Sequence, residues 1–215
     1  MIIGVCGLIG AGKDTIADYL VNIHQFRRES FANTLKDAVS NVFGWDRELL
    51  EGRTKHSRAW REQVDPWWAD RLSMPDLTPR WVLQYWGTEV VRRGFHDDTW
   101  IASLENRLRK TTDDVVISDC RFPNEIDAIK RSGGLVIRVV RGPEPEWYTL
   151  AESVNAGPTN ITWSLSKDQL VKYKVHASET AWIGTEFDSV IDNNSSMDHL
   201  YSQINDLVQG LPEPN

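Results

Sequence analysis

Cysteine is scarce in this chain of 215 residues: only Cys6 and Cys120 are present. Each sits near the end of an apolar run expected to be a central strand, where a free thiol behaves as a small hydrophobe. Neither has the spacing of a metal ligand. Long apolar runs are missing as well. The N-terminal run ends at Cys6, far short of a membrane span, and carries no basic leader. No membrane partner is therefore expected, and the cytoplasm is the expected compartment. Positive charge is in deficit: 24 Lys and Arg stand against 31 Asp and Glu, giving a net charge of -7 and a pI near 5.3. A nucleic-acid coat needs the opposite balance, so nucleic acid is not an expected partner and local arginine clusters matter more. Repeats and low-complexity linkers are also absent. What remains is the composition of a soluble globular protein, long enough to bury a two-sided sheet in one domain with room for an insertion.

Two features stand out against that background. The first is Gly7-Leu-Ile-Gly-Ala-Gly-Lys-Asp-Thr15, which follows an apolar run and opens into an amphipathic one. Strand, glycine loop and helix in that order make an anion cradle. The backbone N–H groups around Gly10, Ala11 and Gly12 turn inward, the helix start adds partial positive charge, and Lys13 supplies a mobile cation. The position after the lysine, where a hydroxyl normally coordinates magnesium, holds Asp14 with Thr15 behind it. Either oxygen suits a hard cation, and that choice stays open. The second feature is tryptophan: of ten, seven lie between Trp45 and Trp100. Most are expected in a core, with one or two touching a ligand.

The remaining elements follow from periodicity and punctuation. A short strand is expected over 26–31 and a helix over 32–43 that Gly44 ends. A short helix over 46–51 and a charged helix from Ser57 that Pro66 ends or kinks come next. Thr78-Pro79 reads as a helix start, proline at the first helical position, for a helix running to about Arg93. Another helix covers 100–108. Val115 to Ser118, 135–140 and 187–191 read as buried strands, with helices starting at Pro123 and after Ser195 or Ser196. Near-continuous apolar strands alternating with helices imply a parallel sheet covered on both faces, with function at the strand carboxyl ends.

Several side chains fall at those ends. Asp119 follows a strand expected beside the glycine-loop strand and would face the phosphates and a magnesium ion. Arg121, two residues on, has a guanidinium able to grip a phosphate by two prongs. Arg138 and Arg141 bracket the end of the 135–140 strand, ahead of a long segment placed as a lid is, from which Arg141 would close onto phosphates. His176 reads as a loop hydrogen-bonder rather than a catalyst. In the tryptophan-rich block, Gln84 is a candidate reader of a base edge beside a stacking aromatic.

Gly7 to Thr15, Phe31-Ala-Asn-Thr-Leu-Lys36, Leu83-Gln-Tyr-Trp-Gly-Thr-Glu89, Asp119-Cys-Arg-Phe-Pro-Asn-Glu125, Val136-Ile-Arg-Val-Val-Arg141, His176-Ala-Ser-Glu179 and Asp192-Asn-Asn194 stand together in order. In this combination the chain resembles the bacteriophage deoxynucleoside monophosphate kinases. The resemblance implies an α/β P-loop NTPase fold with a five-stranded parallel sheet, helices on both faces, a helical acceptor-binding insert and a lid. It divides the chain into a core over 1–44, 110–142 and 185–215, an insert over about 45–109 and a lid over about 143–180. It implies ATP as donor, Mg2+ as cofactor and a dNMP as acceptor, in a monomer or homodimer, in the host cytoplasm if phage-encoded. Lys13, Arg121 and Arg141 would be catalytic, while Gly10 to Thr15, Arg138 and Asn193 would hold ATP. Lys36, Arg58, Arg61, Gln84 and Arg121 would hold the acceptor, and Asp14, Thr15 and Asp119 the metal. Two rivals share the cradle. One is a kinase of another small phosphorylated acceptor, like those for dephospho-coenzyme A or phosphomevalonate; the other is a regulatory nucleotide-binding module without catalysis.

Overall fold

The computed structural model describes residues 1–158 and 161–210. Residues 159–160, in the expected lid, and 211–215, in the expected last core segment, lie outside the described residues. The chain divides into two compact units, residues 1–30 with 107–215 and residues 31–106. Its strands are β1 (Ile2–Cys6), β2 (Arg27–Glu29), β3 (Val115–Ile117), β4 (Leu135–Val140) and β5 (Ser189–Asp192). Its helices are α1 (Lys13–His24), α2 (Asn33–Phe43), α3 (Arg47–Glu51), α4 (Lys55–Arg61), α5 (Pro66–Leu72), α6 (Pro79–Tyr85), α7 (Thr99–Leu108), α8 (Pro123–Arg131), α9 (Tyr148–Asn155), α10 (Ile161–Lys172), α11 (Ala177–Thr180) and α12 (Met197–Gln209). A π-helix, Trp86–Arg93, follows α6.

The first unit is the expected parallel sheet, in the order β2-β3-β1-β4-β5, with every pair parallel. β1 lies in the middle because it is apolar on both sides and must be covered on both. Its alternation separates the faces. Ile3 and Val5 join the cluster made with Ile16, Ala17 and Leu20 of α1 and Leu200 and Ile204 of α12. Gly4 points the other way, where a Cβ would stand 2.7 Å from Ile129 of α8. Each fully buried Ile or Leu here contributes about 1.5–3 kcal/mol. The two thiols are inert: Cys6 donates to the Cys120 carbonyl at 3.4 Å, and burial pushes its pKa up to about 12.

Among its described residues, the 143–180 segment, read from sequence as a lid, carries α9, α10 and α11 and belongs to the first unit. Tyr148, Ala151, Trp182 and Ile183 are buried, and Asn155 Nδ2 donates to the carbonyls of Thr180 and Ile183 at 2.7 and 2.8 Å.

The second unit is helical, and its core is aromatic. Leu35 and Val39 of α2 pack with Trp45, Leu50, Val82 and Trp100, against Phe43, Trp60, Trp68 and Trp86. For this reason the division falls at residue 31, and α2 packs with the tryptophans rather than with the core to which 32–43 was assigned. Indole N–H groups find partners as buried donors must. Trp45 donates to Asp65 at 2.7 Å, Trp68 to the Phe43 carbonyl and Trp100 to the Gly87 carbonyl, both at 3.0 Å.

Three expectations are corrected here. Pro66 does not end a helix but opens α5, at the first helical position behind Asp65, whose carboxylate accepts the Trp68 N–H at 3.0 Å. The helix begun at Thr78 keeps its α pitch only to Tyr85 and continues as the π-helix, a wider winding that single-sequence periodicity does not disclose. The last strand starts at Ser189 rather than 187.

Candidate active site

Between β1 and α1, the loop is set by glycine backbone. Gly12 caps α1 at φ 105, a left-handed value that disfavours any side chain, and a Cβ there would stand 2.4 Å from Asn193 Nδ2. Asn193, in the turn after β5, donates from that nitrogen to the Ala11 carbonyl at 2.8 Å. The residue expected to hold ATP thus braces the loop. The Ala11 N–H is itself turned onto the Leu8 carbonyl at 3.2 Å. The first-turn N–H groups of Lys13, Asp14 and Thr15 have no intrahelical acceptor, as at any helix start, and give this end its affinity for anions.

Lys13 Nζ donates to the carbonyls of Gly7 at 2.7 Å and Leu8 at 2.9 Å, so its ammonium belongs to the loop mouth. Burial lowers its pKa, the nearby Arg121 charge lowers it further, and Glu179 acts in the opposite sense. Arg121 follows β3, as the strand order requires of a residue facing the loop. Its backbone N–H is held by Glu125 at 2.8 Å, and its Nη1 donates to Glu179 Oε1 at 2.7 Å. The other Glu179 oxygen accepts the Ile9 N–H, in the glycine loop, at 3.1 Å. Lys13, Arg121 and the loop are therefore brought together, with a carboxylate among them that the sequence reading did not assign.

The oxygen donors proposed for a metal are placed less uniformly. Asp14 is exposed; its Oδ1 takes the Ser118 hydroxyl at 3.3 Å and lies 3.8 Å from Arg28 Nη1, while Arg28 also pairs with Asp18 at 3.2 Å. Asp119, at the end of β3 beside β1, accepts the Ser30 hydroxyl at 2.5 Å. Among the described residues no cluster of three His, Cys, Asp or Glu side chains is arranged around a metal. Magnesium keeps several of its waters and takes one or two protein oxygens beside the phosphates of its ligand.

Arg138, expected to hold ATP, has its guanidinium engaged beside the end of β4. Its guanidinium lies 4.8 Å from the Tyr148 ring centre and 5.6 Å from that of Trp182, and it pairs with Glu144. It is the root of the 143–180 segment, stabilised by cation–π contact. Arg141, just beyond β4, is exposed, and among the described residues it has no ion-pair partner.

The remaining assigned residues lie in the helical unit. Lys36 is committed to Glu51 at 2.8 Å, a carboxylate that Arg47 also grips. Arg58 donates to the Arg53 carbonyl at 3.0 Å. Arg61 packs flat on Gly52, which has φ 69 and no room for a Cβ, and Arg61 Nε is buried with no partner among the described residues. Gln84 is exposed on α6, where Trp81 and Tyr85 stack at 4.9 Å and 9°.

A glycine loop joining the central strand of a parallel sheet to a helix, with a lysine inside it and an arginine at its mouth, defines a P-loop phosphate-binding protein. Known proteins narrow this further. The chain is 29% identical over 230 aligned positions, covering all of both proteins, to one of Acanthamoeba polyphaga mimivirus assigned as a deoxynucleotide monophosphate kinase. It is 27% identical over 184 positions, 63% of this chain and 74% of the relative, to the deoxynucleoside-5'-monophosphate kinase of Escherichia phage T5. No family model matches. Among solved structures, shikimate kinase from Bacteroides thetaiotaomicron aligns at TM-score 0.41 and 10% identity, over 98% of this chain and 99% of that one. Dephospho-CoA kinase from Campylobacter jejuni aligns at 0.41 and 14%, over 97% and 96%. Likenesses of that degree carry no argument about the acceptor. Among the described residues no helix is long and apolar enough to cross a membrane.

Proposed function

We propose that this chain transfers the γ-phosphoryl group of ATP to deoxynucleoside monophosphates, giving the diphosphate and ADP. The observation that carries it is geometric: Lys13 is held at the glycine loop by the Gly7 and Leu8 carbonyls, and Arg121 is tied to the same loop through Glu179, which accepts the Ile9 N–H. Two cations held together against their repulsion suit a ligand that brings several negative charges. The two relatives just described name the acceptor class.

An oxygen of the acceptor's 5′-phosphate attacks the γ-phosphorus, and the bond from that phosphorus to the β,γ-bridging oxygen breaks. Such a transfer needs position and charge stabilisation more than proton chemistry. The loop N–H groups of Gly10 and of Gly12 to Thr15, with Lys13, hold the donor phosphates, while Asn193 keeps the loop in shape. Arg121 grips the acceptor phosphate. Arg141, exposed and outside any ion pair among the described residues, is the cation that closes on the charge moving between donor and acceptor. Thr15, Asp14 and Asp119 would supply protein oxygens to magnesium, which when bound would offset phosphate charge. In the helical unit, Arg61 suits an acceptor contact better than Lys36, since one has a buried nitrogen without a partner among the described residues and the other is spent on Glu51. Gln84, on the same helix as the stacked Trp81 and Tyr85, remains the candidate for the base.

A coupled ADP-release assay with Mg-ATP and dAMP, dCMP, dGMP, dTMP, dephospho-coenzyme A and phosphomevalonate tests this. ADP release with at least one of the four nucleotides, well above the other two acceptors, is expected. Release with none of the four overturns it.

A further inference from the structure

Glu179 has no assigned role, yet its contacts are the most specific of any acidic side chain near the glycine loop. Its side chain is 13% exposed, and both oxygens are used: Oε1 accepts Arg121 Nη1 at 2.7 Å, and Oε2 accepts the Ile9 N–H at 3.1 Å. The segment carrying it is fixed at both ends. His176 caps α11 by accepting the Ser178 N–H at 3.2 Å, and Asn155 holds the Thr180 carbonyl at 2.7 Å. A half-buried carboxylate beside a phosphate-binding loop is electrostatically unfavourable unless it positions something, because it opposes the anion the loop attracts.

The chemistry of guanidinium shows what it positions. Two-pronged binding of a phosphate along one side of an arginine uses Nε and Nη2, which point the same way. Glu179 takes Nη1, the nitrogen outside that fork, with Ser178 Oγ as a longer second acceptor at 3.4 Å. Among the described residues Nε and Nη2 of Arg121 have no partner. We infer that Glu179 is a positioning residue that pins Arg121 by Nη1 and the glycine loop by the Ile9 N–H, fixing the acceptor's phosphate grip relative to the donor loop while leaving the Nε–Nη2 fork for that phosphate. The inference rests on the kinase reading above and extends it to how donor and acceptor are held in register.

The test is steady-state kinetics with the fastest of dAMP, dCMP, dGMP and dTMP as acceptor, on wild type, Glu179→Gln, Glu179→Ala, Arg121→Ala and the Arg121→Ala/Glu179→Ala double variant. Glu179→Gln keeps the shape and carries the test if Glu179→Ala fails to fold. A neutral partner weakens a charge-assisted bond, so the acceptor KM should rise about tenfold with kcat within about threefold. In the Arg121→Ala background, removing Glu179 should change the acceptor KM less than about twofold, since the residue it orients is gone. A general loss of structure would not give that non-additive split. An unchanged acceptor KM in the active Glu179→Gln protein, or an equal effect with and without Arg121, overturns the inference. So does a fall in the ATP KM alone, which would make Glu179 a shield of the loop. If the wild type releases no ADP with any of the four nucleotides, the kinase reading itself falls; activity with an unmoved acceptor KM sinks only this inference.

Discussion

The two units solve opposite problems. In the sheet unit, chemistry is placed first by backbone: a left-handed Gly12, a helix start and the ends of β1 and β3 bring Lys13 and Arg121 together, and the side chains of Glu125, Glu179 and Asn193 then hold them there. In the helical unit, side chains build the structure, and the residues that look most like ligand-binders by composition are its core. Trp45, Trp68 and Trp100 have their indole N–H groups satisfied internally. Abundance of a residue type is therefore a poor guide to its work, and position relative to a strand end is a better one.

The comparison breaks first at Lys13. Replacing Lys13 with Ala should lower kcat by about a thousandfold or more, because one preorganised charge is lost from a phosphoryl-transfer site. Circular dichroism should be unchanged; a melted spectrum would make the lysine structural. Trp100→Ala should do the reverse, costing about 3–5 kcal/mol of stability through the cavity it leaves. Thermal unfolding measures that loss. A well-folded Trp100→Ala enzyme with lost turnover would place chemistry among the tryptophans after all. Smaller effects sharpen the contrast within the sheet unit. Arg121→Lys keeps charge but loses the fork and should raise the acceptor KM by about tenfold, whereas Arg141→Ala should lower kcat and kcat/KM together by a similar factor. Reversed signatures in steady-state kinetics would exchange their roles.

The smallest effect concerns acid. Burial alone would raise the Glu51 carboxyl, but Lys36 and Arg47 outweigh it and bring the pKa down from the usual 4.5 to about 2. A depressed carboxylate contributes stability that is complete above about 4.5 and is lost as pH falls toward 2. The denaturant midpoint should therefore decline across that window in wild type. In Glu51→Gln it should be lower at neutral pH and flatter in acid; equal acid limbs in the two proteins would mean the Lys36–Glu51–Arg47 network does not stabilise the fold.

What could be read from sequence was whatever is local. The strand–loop–helix at Gly7 to Thr15, the β4 bounds, and the starts at Thr78, Pro123 and Ser196 each depend on neighbours within a few residues. What could not be read depends on distant ones. Arg138 was taken for a phosphate ligand because its partners Tyr148 and Trp182 lie far along the chain. Asn193 was assigned to a nucleotide because nothing near it in sequence announces the Ala11 carbonyl. Glu179 was visible only as part of His176-Ala-Ser-Glu179, and a conformation-dependent pairing with Arg121 leaves no periodic trace. Pro66 shows the local rule failing too: proline marks a helix start as readily as an end, and Asp65 ahead of it was the sign that it opened one.

The Asn193 brace also bears on the order of events during synthesis. Asn193 and Ala11 are separated by 182 positions, so the bond between them awaits nearly the whole described chain. At roughly 5–20 residues per second, a ribosome needs roughly 10–40 s to cover that interval. Through that time β1 and α1 exist without the side chain that fixes the Ala11–Gly12 turn. The nascent protein should thus acquire tight phosphate affinity late and abruptly, after the residues that supply its donors and its lysine have long since emerged.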